Sequence, residues 1–95
     1  MRFRLRPRAR RDISEILAYL AARNPTAARA WREAIFRIFD LLDTNPQMGT
    51  AHDDVRRGLR MFPTGRYIVL YRLDDESIVV LRVIHAARDW RIVPK

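Results

Sequence analysis

The sequence predicts an α+β fold with the order β-α-α-β-β-β, in which a helical hairpin packs on one face of an antiparallel sheet. Two dense runs of β-branched and aromatic residues, at 67–71 and 78–81, flank a short acidic turn and indicate a central β-hairpin. Two upstream segments carry apolar residues at helical spacing, and the N-terminus alternates arginine with apolar residues, as a half-buried strand does. With 95 residues, the chain is expected to form one domain covering 1–95.

The N-terminal half contains the first strand and both helices. Residues 2–6 alternate between arginine and apolar side chains, so this short strand should bury one face. The first helix is expected over residues 8–23. Asn24 should cap the second helix, which runs from Pro25 to about residue 43. Because the connection is so short, the two helices are predicted to be antiparallel neighbours.

The C-terminal half supplies the remaining strands. Residues 47–55 are expected to be loop, and residues 58–62 should form the second strand. A turn at 63–65 leads into the central hairpin, whose strands should lie inside the sheet because both of their faces are apolar. Residues 90–95 are predicted to be a short tail, with a brief strand as one option.

The chain is strongly basic, with a formal net charge of +8, and arginine supplies all but one of its 19 basic residues. A small domain with this charge usually meets nucleic acid, a membrane surface or an acidic protein. The absence of cysteine excludes disulfides and thiolate chemistry. No apolar run reaches the roughly 18 residues of a membrane span, and no apolar signal-peptide core follows the basic N-terminus. A cytoplasmic protein with no membrane partner is therefore expected.

No metal or cofactor site is predicted. His52 stands beside Asp53 and Asp54, but His85 is the only other histidine in the sequence, and no second cluster of ligands exists. No glycine-rich phosphate loop precedes a helix, and no serine lies in a recognisable nucleophile context.

Basic residues that interrupt the predicted sheet are the main candidates for a binding surface. Since the helices cover one face, the other face is expected to carry that surface. If the last strand is regular, Arg82 shares a face with Ile78, Val80 and Ile84, so pairing with an internal carboxylate is an alternative for this arginine. The candidates are Arg60, Arg66, Arg72, Arg82, His85 and Arg88.

Two aromatic side chains near the end of the chain have alternative interpretations. Trp90, next to Arg88 and Arg91, either stacks on a base or fills a partner pocket, or else folds back to close the core. For His85, a packed or hydrogen-bonded role is favoured over a catalytic one.

Six short motifs follow one another along the chain. They are A-x-x-D-I-x-x-I at 9–16, N-P-x-A-A at 24–28, P-x-x-G at 46–49, Gly58-Leu59-Arg60, R-Y-I-V-L-Y at 66–71 and L-R-V-I-H-A-A-R-D at 81–89. In this order and spacing, the chain resembles the RelE/ParE superfamily of toxins from bacterial type II toxin–antitoxin modules, and within it the ParE branch. The resemblance implies a helical hairpin on an antiparallel sheet, and a cognate antitoxin that wraps the toxin with an acidic, helix-forming tail.

The resemblance to ParE implies an inhibitor of DNA gyrase with no catalytic residues, which uses its C-terminal region, here residues 88–95. On this interpretation the partner-binding residues are Arg60, Arg66, Arg82, Arg88, Trp90 and Arg91.

The resemblance to RelE implies instead an mRNA endonuclease that works on the ribosome. Its catalytic residues would then be Arg60, Arg66, His85 and Arg88. No tyrosine follows Tyr71 and no lysine precedes Lys95, so the groups that would complete an RNase site are missing and the ParE interpretation is favoured. A third alternative is an inactive antitoxin-binding or DNA-associated module.

Overall fold

The computed structural model describes residues 3–92, which form a helical hairpin packed on a five-stranded sheet. Single turns of 3₁₀-helix lie at Pro46–Met48 and Trp90–Ile92. The helices and strands are β1 (Arg4–Leu5), α1 (Pro7–Arg23), α2 (Pro25–Thr44), β2 (Thr50–Ala51), β3 (Arg60–Thr64), β4 (Tyr67–Asp74) and β5 (Ser77–His85).

The strand order is β1-β5-β4-β3-β2, so the β4–β5 hairpin lies inside the sheet, as predicted. The sheet is mixed rather than wholly antiparallel, because β1 runs parallel to β5 with Arg4 opposite Val79 and Leu5 opposite Val80. Arg6 N extends this pairing by donating to Val80 O at 3.0 Å. The period-two alternation of β1 is the same for either strand direction, so the sequence pattern predicts the strand but not its direction.

Both helices form where the sequence predicts them. Asn24 ends α1 by donating from its backbone N to Leu20 O at 2.8 Å. Its side-chain Oδ1 then caps α2 by accepting from Thr26 N at 3.0 Å and Ala27 N at 3.1 Å. Asn24 thus serves both helix ends and fixes the short antiparallel connection.

The segment between the helices and the central hairpin differs from the prediction. The predicted loop at 47–55 contains β2, and β3 covers Arg60–Thr64 rather than 58–62. The hairpin turn is therefore Gly65-Arg66, with Gly65 at a φ of +59°. Pro63 lies inside β3, opposite Ile68. A proline is tolerated there because β2 pairs only with the first two residues of β3 and leaves the rest as an edge.

Both faces of the sheet carry a buried cluster. The face under the helices packs Ile13, Ile35, Phe39, Val69 and Val80 together. The opposite face, called here the far face, buries its own set of side chains, so it is not the open binding surface that the sequence predicts. The far-face cluster consists of Leu59, Ile68, Leu70, Val79, Leu81 and Ile84, covered by Val55, Met61 and Trp90.

A β-bulge at Leu81 changes which side chains share a face. Leu70 pairs with Arg82 and Tyr71 pairs with Val80, which leaves Leu81 without an opposite residue. Beyond the bulge the alternation is inverted, so Ile84 joins the far-face cluster. The prediction that Ile84 shares the face of Val80 is therefore wrong, because it assumed a regular strand.

The end of the described chain forms a 3₁₀ turn at Trp90–Ile92 rather than a strand, while the remainder of the predicted tail, 93–95, lies outside the described residues. Across residues 3–92, no helix combines the length and apolar character needed to cross a membrane.

Candidate functional site: an arginine-rimmed cleft and the C-terminal turn

A cleft of about 780 Å³ opens between the helical hairpin and the end of the sheet formed by the β3–β4 turn and the last residues of β5. Its wall contains a chain of edge-to-face aromatic contacts. The Trp31 ring lies 5.3 Å from the Tyr67 ring, which lies 5.5 Å from the His85 ring. Glu15 and Tyr19 of α1 also line the cleft. The cleft thus combines an aromatic wall with polar groups at its mouth.

The fold brings three of the predicted basic residues to the mouth of this cleft. Tyr67 pairs with His85 across the β4–β5 ladder, which places Arg66 beside the end of β5. Ala86 N donates to Arg66 O at 2.8 Å, and Arg88 N donates to His85 O at 3.0 Å. Arg66, His85 and Arg88 are exposed, and in the part of the chain that the structure describes none of them has a carboxylate within 4.0 Å. The three residues form the rim of the cleft, and the two arginines give it positive charge.

The hydrogen bond at His85 limits its chemistry. Ala87 N donates to His85 Nδ1 at 3.1 Å, so the neutral imidazole carries its proton on Nε2. In this form neither ring nitrogen has a free lone pair with which to take a proton from a substrate. His85 is accordingly a hydrogen-bonded residue, in the role that the sequence analysis favoured.

Arg60 lies away from the other candidate catalytic residues. On β3 it pairs with Tyr71, four residues from the Thr64–Tyr67 pair that borders the cleft, which is about 13 Å along a strand. Its Nη2 donates to Gly49 O at 2.7 Å and to Gln47 O at 3.3 Å. The proposed RNase set is therefore not assembled, because Arg60 holds the loop before β2 instead.

Arg82 is paired inside the protein. Its Nε donates to Asp12 Oδ2 at 2.7 Å and its Nη2 to Asp12 Oδ1 at 3.1 Å. The Arg82 side chain is 12% exposed and that of Asp12 is 5% exposed. This geometry supports the internal-pairing alternative over contact of Arg82 with a partner. The sequence carried one signal for this acidic partner: Asp12 is a carboxylate on the apolar stripe of α1, in the A-x-x-D-I-x-x-I motif.

Tyr71 explains the P-x-x-G motif. The fully buried Tyr71 hydroxyl accepts from Gly49 N at 2.9 Å and donates to Pro46 O at 2.6 Å. A Cβ added to Gly49 would lie 2.7 Å from Tyr71 Cε1, so only glycine fits at this approach. Sequence reasoning treated Tyr71 as one more apolar strand residue and missed its role in holding the loop that Arg60 also contacts.

Trp90 folds back on the protein. It is half-buried against the far-face cluster, and its ring lies 4.7 Å from the ring of His52 in an edge-to-face arrangement. The Arg91 guanidinium carbon stands 4.8 Å from the centre of the Trp90 ring. His52, considered in the sequence only as a metal ligand, is thus the packing partner of Trp90. Residues 3–92 contain no group of three side chains suited to hold a metal ion.

The architecture is shared with a protein of known structure. The fold matches a chain from a solved structure described as "Chromosomal ParDE TA system from P. aeruginosa" with a TM-score of 0.73. That match covers 90% of this chain and 95% of the other, at 17% sequence identity, and so shows the fold. The sequence profile described as "ParE toxin of type II toxin-antitoxin system, parDE" matches residues 3–90. The chain belongs to this ParE toxin family, and its place in a toxin–antitoxin system implies an antitoxin partner.

Curated relatives agree with this assignment. The chain is similar to Toxin ParE3 of Caulobacter vibrioides, with 39% identity over 57 residues, which is 60% of this chain and only 57% of the length of that relative. It is also similar to Toxin ParE1 of the same organism, with 26% identity over 94% of this chain and 93% of the relative. Toxins named RelE from that organism match as well. The predicted membership of the RelE/ParE superfamily, in its ParE branch, is confirmed.

Proposed function

We propose that the protein is a toxin that inhibits DNA gyrase by stoichiometric binding and is neutralised by a cognate acidic antitoxin. The observation that carries this proposal is the separation of Arg60 from the rim formed by Arg66, His85 and Arg88. With that set divided, the surface of the protein is better suited to hold a partner than to turn over a substrate. Gyrase acts on DNA in the cytoplasm, which is where we place the action of the toxin.

RNA cleavage requires three chemical roles, and the contacts of the candidate residues favour the binding proposal over it. A base must activate the ribose 2′-hydroxyl, a cation must stabilise the phosphorane, and an acid must protonate the leaving oxygen. His85 has its Nδ1 lone pair engaged by Ala87 N, and Arg60 is committed to two backbone carbonyls. Arginine keeps its proton at any physiological pH, so neither Arg66 nor Arg88 serves as the base.

The charge distribution supports an acidic antitoxin. The net charge is +8, and the exposed rim arginines Arg66 and Arg88 have no acidic partner within residues 3–92. Complementary charge would steer encounter and relieve the mutual repulsion of these groups. A helix-forming tail with carboxylates at its edge and apolar side chains toward the aromatic wall fits the chemistry of this surface.

Supercoiling assays with gyrase from the same host test the proposal. The purified toxin is expected to inhibit supercoiling at about equimolar ratio, and prior addition of the antitoxin should restore it. As a control, the Arg29→Ala variant should inhibit as the wild type does, because Arg29 is exposed on α2 and lies outside the cleft lining. Unchanged supercoiling at a large molar excess of toxin would reject the gyrase target.

One observation keeps the ribosome-dependent mRNA endonuclease as a second candidate. Arg66, His85 and Arg88 do meet at one cleft, and RelE-named toxins are among the relatives. Primer extension on translated messages after induction of the toxin distinguishes the two: codon-positioned cuts support the endonuclease, whereas intact messages during growth arrest support ParE-type action. Continued growth after induction would indicate the inactive antitoxin-binding or DNA-associated module.

A further inference from the structure

The C-terminal turn packs on the far face of the sheet and against the loop of residues 52–59. Trp90 packs on the far-face cluster and against the His52 ring. The backbone of this loop is held without help from the His52 side chain, because His52 N donates to Leu59 O at 2.8 Å and His52 O accepts from Val55 N at 3.0 Å. The loop conformation therefore does not depend on the imidazole, whose ring contact is with Trp90.

That contact leaves a polar atom in an unfavourable place. His52 Nε2 is buried and has no hydrogen-bond partner, and Nδ1 lies 3.9 Å from Asp54 Oδ1, beyond hydrogen-bonding distance. Buried nitrogen atoms without partners are rare in folded proteins because they lose their contact with water. Displacement of Trp90 would let water reach Nε2, so burial of the indole and hydration of the imidazole oppose one another.

We infer that His52 and Trp90 form a latch, and that Trp90 leaves the far face to insert into an apolar pocket with an acidic rim on the target. The inference rests on the proposed function and extends it to the residue that anchors the toxin. In the closed form Trp90 packs on the far face and against His52. In the open form Trp90, Arg88 and Arg91 contact the target together.

The neighbours of Trp90 indicate the chemistry of that pocket. Arg88 and Arg91 flank Trp90 in the sequence and are exposed, and the Arg91 guanidinium stacks over the indole. Tryptophan and arginine are both enriched among the residues that carry most of the binding energy at protein interfaces. The indole requires an apolar cavity, and the two arginines require carboxylates around it. This places the acidic groups of the target at the rim rather than at the base of the pocket.

Two substitutions at His52 shift the latch in opposite directions. His52→Ala removes the ring contact and should open it, raising the open-to-closed ratio by roughly 2- to 10-fold, the range that an aromatic pair is worth. His52→Phe keeps an aromatic ring and removes the unpartnered nitrogen, so it should hold Trp90 more tightly. Trp31→Phe leaves Trp90 as the sole tryptophan, so acrylamide quenching of its fluorescence reports its exposure in both variants.

The same His52 substitutions, made in the protein that retains Trp31, are then compared in the supercoiling assay. The latch predicts greater quenching and greater potency for His52→Ala, and lower values of both for His52→Phe. Met61→Ala is the control, since it loosens the same far-face cluster without removing the His52 ring. Trp90→Ala should lose inhibition while the protein remains folded by circular dichroism.

Each outcome has a distinct meaning. If acrylamide quenching is unchanged in His52→Ala, the latch is rejected. The latch is also rejected if His52→Ala loses as much inhibitory potency as Met61→Ala does. Greater quenching with unchanged potency retains the latch but rejects the insertion of Trp90 into the target. If the wild-type toxin does not inhibit gyrase at all, the proposed function and the target half of this inference both fail, whereas the latch is judged from quenching alone.

Discussion

Asp12 of α1 and Arg82 of β5 form a bidentate ion pair across the interface between helix and sheet, with 2.7 Å between Arg82 Nε and Asp12 Oδ2. The same Oδ2 accepts a hydrogen bond from Val83 N at 3.0 Å. That N–H follows the bulge at Leu81, where the strand ladder is interrupted. One carboxylate therefore both neutralises a nearly buried arginine and satisfies the backbone of the bulge.

Asp12→Ala should be strongly destabilising. It leaves the Arg82 guanidinium nearly buried without a counter-ion and Val83 N without an acceptor, and removal of one partner of a buried pair costs about 3–5 kcal/mol of unfolding free energy. Urea denaturation monitored by circular dichroism measures the change. Asp40→Ala, an exposed position on α2, is the matched control and should stay within about 0.5 kcal/mol of the wild type. A small loss from Asp12→Ala would contradict this account of the bulge.

Gly49→Ala should destabilise the loop before β2. The added methyl group would overlap the buried Tyr71 ring, and relief requires a shift of the ring or the backbone at a cost of about 1–3 kcal/mol. Thermal denaturation measures the loss, and Thr50→Ala, one residue further along and exposed, provides the comparison. Equal melting temperatures for the two variants would show that the loop adapts and that Tyr71 does not define it.

Tyr71→Phe tests the hydroxyl separately from the ring. The substitution keeps the packing but leaves Gly49 N and Pro46 O without their partner, which should cost about 1–3 kcal/mol. Hydrogen exchange at the Gly49 amide should accelerate more than exchange in α1. Tyr67→Phe is the control, because no hydrogen bond to another residue is formed by its hydroxyl within residues 3–92.

Arg66→Ala combined with Arg88→Ala should weaken association with the proposed acidic antitoxin chiefly by lowering the association rate. Both arginines are exposed at the rim of the cleft, where long-range attraction affects encounter more than it affects dissociation. Surface plasmon resonance at low and high salt should show a smaller salt dependence for the double variant than for the wild type. The Arg29→Ala and Arg37→Ala double variant, on exposed positions of α2, has the same net charge; an equal effect there would assign the attraction to total charge alone.

Much of the fold was predictable because its signals are local. Asn24-Pro25 marks both helix ends through a cap and a fixed φ, and the apolar runs of β4 and β5 identify the sheet interior. The direction of β1 and the two-residue strand β2 were not predictable, since each depends on distant pairing that leaves no periodicity in two residues. Pro63 suggested a turn in the sequence. The structure accommodates this proline inside β3 because β2 does not extend far enough to pair with it, which the sequence around position 63 does not reveal.

The candidate site was predictable only in part for a related reason. The sequence indicated that Arg66, His85 and Arg88 matter, and the fold places them at one cleft. It did not indicate that Arg60 is engaged, because the partners of Arg60 are loop carbonyls. It offered internal pairing of Arg82 only as an alternative and did not identify the acid, because Asp12 lies 70 residues away in the chain. The bulge at Leu81 inverted the strand alternation on which the assignment of faces relied.

We propose that this toxin acts on gyrase by binding and does not cleave RNA. The most direct measurement adds purified toxin to the host's own gyrase and relaxed plasmid and follows supercoiling across toxin-to-gyrase ratios. We expect loss of supercoiling near equimolar toxin, recovery with the antitoxin, and retained inhibition in His85→Ala. Full supercoiling at a large excess of folded toxin, with codon-positioned cuts in translated messages that disappear in His85→Ala, would contradict this proposal.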